Sequence, residues 1–109
     1  MIKLTQFFAI LIVMGTVLFA QTTDIKGEIV RFDNYYKSYK PLFNIKVDLL
    51  KDEKQIASTY TDSKGIYYLY KLVPGNYILY FEEKSFPIEI KKIDSNIEQF
   101  QEMEKIILR

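Results

Sequence analysis

From residue 25 onward, apolar and polar residues alternate at the period of two that marks a strand with one buried face. Ile25, Gly27 and Ile29 share one face of a first strand, where Gly27 marks a close backbone approach or a bulge. Val30 and Phe32 point the other way, so the second face is covered in part. Phe43, Ile45, Val47 and Leu49 alternate with Asn44, Lys46, Asp48 and Leu50 in the clearest strand of the chain. Lys51 to Lys54 is a charged turn, and residues 55–61, rich in Thr and Tyr, form a strand near an edge. Phe86, Ile88 and Ile90 make a later strand. Pro87 inside it cannot donate to a ladder, so that strand belongs at an edge.

The middle of the chain is organised by two turn signals. Asp62 accepts backbone N–H bonds from two residues on, and Gly65 takes a positive φ at no Cβ cost. Pro74 presets φ at the second position of the next turn and Gly75 supplies the third. Both fit hairpin connections in an antiparallel sheet. On the strands they join, Leu69 and Leu79 face inward, while Tyr68, Tyr70, Ile78 and Tyr80 face outward together. These four are the candidate partner-binding patch, since tyrosine favours interfaces. The alternatives are cover by a loop or by the tail after residue 93, or an inverted register that buries them.

The tail supports two patterns. Ser95 and Glu98 have capping-box spacing, and Ile97, Phe100, Met103 and Ile107 step at helical intervals, which predicts a helix over 96–108. The β-branched apolar run at residues 106–108 predicts a loop and a final strand instead.

The chain has 109 residues, and its first twenty differ from the rest. Lys3, an apolar run from Phe7 to Phe19, and Ala20 before a polar stretch have the layout of a secretory signal peptide. Cleavage there leaves one domain, residues 21–109, in the periplasm, associated with the outer membrane or secreted, and the chain then has no integral membrane segment. The alternatives are a retained membrane anchor or a buried N-terminal element. With no cysteine there is no site for lipid attachment and no disulfide, so stability rests on hydrophobic burial. Nine tyrosines and eight phenylalanines supply apolar area for it.

Fifteen basic residues nearly balance fourteen acidic ones, which leaves no field to draw nucleic acid. The absence of His and Cys removes the usual general base, thiol nucleophile and zinc ligands. Asp52/Glu53 and Glu82/Glu83 are adjacent carboxylates in predicted turns, unsuited to paired acid–base work. Asp33, Asp62 and Asp94 lack EF-hand spacing and read as solvated or turn-forming side chains. No cofactor, metal site or catalytic residue is expected. Residues 33–40 form a loop with Tyr35, Tyr36 and Tyr39 among lysines. This is the candidate glycan-binding element, by ring stacking on sugars; alternatively its tyrosines lie back on the sandwich edge.

The motifs Thr61-Asp62-x-x-Gly65-x-Tyr67-x-Leu69 and Pro74-Gly75-x-Tyr77-x-Leu79, after Ile25-x-Gly27-x-Ile29 and Pro41-Leu42, resemble those of the carboxypeptidase regulatory-like domain. The version most similar is the N-terminal domain of TonB-dependent outer-membrane receptors of the Bacteroidetes type. That resemblance implies a small, all-β, antiparallel Greek-key sandwich of about seven strands, transthyretin-like. It favours a final strand over a helix, because Met103 to Leu108 resembles a segment that often follows the domain. It also implies a non-catalytic module contacting an envelope or outer-membrane protein through a sandwich face or edge. Glycan binding is the alternative. The family's Gly-Tyr segment is shortened here to Lys84-Ser85-Phe86, and no receptor barrel or peptidase domain is present.

Overall fold

The computed structural model describes residues 21–94 and 96–109. The expected signal peptide and the expected helix cap at Ser95 lie outside these residues. Nine strands are described: β1 (Thr23–Asp33), β2 (Ser38–Pro41), β3 (Lys46–Lys51), β4 (Lys54–Tyr60), β5 (Ile66–Leu72), β6 (Gly75–Phe81), β7 (Lys84–Ile90), β8 (Gln101–Glu102) and β9 (Ile106–Leu108). They form two sheets. The second runs β4-β3-β6-β7, with β4 and β7 at its edges, as their sequences predicted.

The first sheet is built around β1, eleven residues long and paired on both sides. On one side the early half of β1 pairs with β5 and its late half with β2, both antiparallel. On the other side β8 and β9 lie parallel to it in succession. The tail therefore ends in strands, not in the helix over 96–108. The purely antiparallel, seven-stranded sandwich is corrected to a nine-stranded one with a mixed first sheet. Alternation is the same in both directions, and parallel pairing is set by how the connection returns the chain.

The two central turns also differ from expectation. β4 is in the second sheet, β5 in the first and β6 in the second, so both connections cross between sheets and neither closes a hairpin. The local chemistry of the first turn is as read. Asp62 Oδ1 accepts from Lys64 N–H at 2.9 Å and Ile66 N–H at 3.0 Å. Gly65, at φ 76°, then bonds to β1: Ile29 N–H donates to its carbonyl at 2.8 Å. A Cβ there would stand 2.5 Å from Ile29 O, so Gly65 is needed for approach as well as for φ. At the second crossing the Tyr77 hydroxyl donates back to Val73 O across Pro74 and Gly75, a tyrosine corner that fixes the change of sheet.

Residues 33–40 are a hairpin rather than an open loop: Asp33 faces Ser38 and Phe32 faces Tyr39 across β1 and β2. The strand read from Phe43 begins only at Lys46, because Asn44 sits at φ 58° and leaves Phe43 exposed. The inner faces meet in a core of Ile25, Ile29, Val47, Leu49, Tyr67, Leu69, Tyr77, Leu79, Phe81, Ile90 and Leu108. Arg31 and Glu82 form an ion pair between β1 and the turn after β6. Among the described residues there is no helix long and apolar enough to cross a membrane.

Candidate interaction site

On the outer face of the first sheet, β5 places Tyr68 and Tyr70 two residues apart on the same side. Their rings lie nearly parallel with centroids 6.4 Å apart. Phe100, on the approach to β8, packs against both, at 5.5 Å from Tyr68 and 6.0 Å from Tyr70. The tail thus folds over half of the tyrosine pair. Tyr68 is half-buried, whereas Tyr70 keeps 57% of its surface exposed. Charges of both signs frame the rings. Lys26 is opposite Tyr68 on β1, and Lys105 lies 3.7 Å from Glu28 farther along the sheet.

Ile78 and Tyr80 do not join this surface. They belong to β6, on the outer face of the second sheet, where Ile78 lies between Leu50 and Pro87 and Tyr80 between Asp48 and Ser85. The single four-residue patch is corrected to two half-patches on opposite faces of the sandwich. The physical reason is the crossing at Pro74 and Gly75, which moves β6 off the sheet that holds β5. Phe100 was missed as a member of the aromatic group. Its only sequence signal was its place on the helical stripe of the tail.

The β1–β2 hairpin distributes its tyrosines. Tyr39 packs on Phe32 at 5.1 Å, and Lys40 Nζ stands 4.8 Å from the centroid of the Tyr36 ring. Tyr35 meets Tyr36 edge-on at 4.8 Å and is 85% exposed. The three rings do not make one flat platform. Asp33 anchors the turn, with Oδ1 accepting from Tyr35 and Tyr36 N–H and Oδ2 2.9 Å from Lys40 Nζ. The hydrogen bond from Lys40, then those from the backbone, hold its carboxyl below the usual carboxylate range. The Asp62 carboxyl is likewise lowered, mainly by the Ile66 N–H.

Among the described residues no three of Asp, Glu, His or Cys cluster to hold a metal ion. No curated protein matches the chain. Among solved structures it is similar to BcpA, the major pilin subunit of Bacillus cereus, at 15% identity and a TM-score of 0.43. That match covers 78% of this chain and 29% of the pilin chain, so this chain spans less than a third of it. The carboxypeptidase regulatory-like resemblance and the family found share a β-sandwich but not a name. Residues 21–106 match the model described as "BOS complex subunit NOMO1-like, second beta sandwich domain", and the chain belongs to that family.

Proposed function

We propose that the protein is a non-enzymatic, exported cell-envelope module that contacts another protein through the outer face of the first sheet. The observation that carries this reading is the Tyr68, Tyr70 and Phe100 group. It is an aromatic cluster on a sheet face, preorganised by its own ring contacts, with Tyr70 open to solvent. Such rings supply contact area at little entropic cost and are favoured anchors. Export is supported by the apolar run before Ala20 and its polar flank.

A photo-crosslinking residue at Tyr70, read by mass spectrometry of the envelope fraction, is expected to trap one partner. Tyr70→Ser is expected to cut capture at least tenfold. The melting temperature is expected to move by no more than about 3 °C, as for an exposed site. Capture that survives Tyr70→Ser overturns this face as the contact.

A further inference from the structure

A cleft of about 440 Å³ opens between β7 and the break in the tail between β8 and β9. Phe86 and Ile88 form one wall, and Met103 and Ile106 the other. Tyr67 lies at its floor. A Cβ on Gly27 would stand 2.2 Å from both Cζ and the hydroxyl oxygen of Tyr67. The ring therefore crosses β1 above Gly27 and carries its hydroxyl to the side where β8 has ended and β9 has not begun. Tyr67 is fully buried, and its hydroxyl has no hydrogen-bond partner among the described residues. Burial pushes its pKa up, so it stands as a protonated donor. An orphaned donor in a core costs the full desolvation of that group, and Tyr67 is among the residues that line the cleft.

The β7 wall is a free sheet edge with a defined pattern. At its end the Gln101 side-chain amide acts as a substitute strand: Lys91 N–H donates to its Oε1 at 2.7 Å and its Nε2 donates to Glu89 O at 3.0 Å. Residues 89 and 91 thus point off the sheet. By the period of two, Ser85 and Pro87 do so as well. β7 pairs only with β6 among the described strands. That leaves Ser85 N–H and O, Pro87 O and Glu89 N–H along the edge, with Pro87 and Glu89 lining the cleft and continuous with the amide already seated there. A purely apolar ligand would leave these groups and the Tyr67 hydroxyl unpaired. A peptide strand satisfies both kinds, with an apolar side chain between Phe86 and Met103.

We infer that this cleft is a binding site for an extended segment of another polypeptide, which adds to the free edge of β7 beyond Gln101 and offers a carbonyl to Tyr67. The site is separate from the Tyr70 face.

The test is an amide-resolved NMR titration of the protein with a mixture of acetylated, amidated hexapeptides alternating Val with Thr or Ser. Ser85 and Glu89 amides are expected to shift and to exchange at least tenfold more slowly, while those of β4 stay unchanged. The same peptides N-methylated at alternate residues are expected not to bind. Tyr67→Phe keeps the packing and is expected to weaken binding at least fivefold without lowering the melting temperature. Tyr70→Ser is expected to leave the titration as it is, which separates this site from the partner contact above. No perturbation at millimolar peptide overturns the inference. Equal affinity for the N-methylated set, or for Tyr67→Phe, does so too.

Discussion

Two hairpin turns carry their strain in acidic residues. Asp52 and Glu53 stand at φ 51° and 66°, and Glu82 and Glu83 at φ 49° and 62°, the paired positive angles of a type I′ turn. Asn-Gly is the pair that geometry favours, because a side chain beyond Cβ gains nothing from the left-handed region. Glu82 has an ion-pair partner in Arg31 that holds it in place. Glu53 is exposed. Glu53→Gly is therefore expected to raise the unfolding free energy by about 1 kcal/mol, measured by urea denaturation. A loss instead would mean that the Glu53 side chain contributes more than its backbone costs. Gly27 shows the opposite demand. There the missing side chain makes room for a ring from the neighbouring strand, where the Ile25-x-Gly27-x-Ile29 pattern offered a close backbone approach or a bulge.

At the scale of elements, β9 is three residues long yet completes the cover of the core. Leu108 is 4% exposed and belongs to the central cluster, while Ile107 beside it is 44% exposed. Leu108→Ala is expected to cost about 2–5 kcal/mol, and Ile107→Ala well under half of that, both by chemical denaturation. Similar losses at the two positions would mean that β9 does not hold the register seen here. Strand positions were legible in the sequence wherever alternation was clean, as in Val47 and Leu49 or Tyr77, Leu79 and Phe81. The edge positions of β4 and β7 were legible too, from weak patterning and from Pro87. Sheet membership was not. Asp62 and Gly65 dictate a tight reversal, but only contact with Ile29 determines that β5 leaves the sheet of β4. The same gap split the tyrosine patch, since nothing local in Pro74-Gly75 distinguishes a hairpin from a crossing. The parallel sense of β8 and β9 was hidden for a related reason, because direction belongs to the connection and not to the strand.

For the molecule as a whole, acid is the solution condition that acts on known supports. Asp33 steadies the β1–β2 hairpin and Asp62 the first crossing, and both carboxyls titrate below the ordinary value of about 3.9. A lowered folded pKa means that their stabilisation is whole above the unfolded value and is lost as pH falls through the folded one. With no histidine, no side chain of ordinary pKa titrates between about pH 5 and 8. The melting temperature is expected to be flat from pH 8 to about 5 and to drop below about 4, with a smaller drop in Asp62→Asn. An equal drop in that variant would place the acid sensitivity elsewhere.

The parallel seam between β1 and β9 also has a consequence for the order of assembly. Ile29 pairs with Ile106, so β1 waits for residues 106–108 before its sheet is whole. A chain emerging from the ribosome holds the late half of β1 with one flank bare until residues 106–108 have been made. Closure of so long a loop is slow. Until that seam closes, the late half of β1 has β2 on one flank and an unpaired edge on the other.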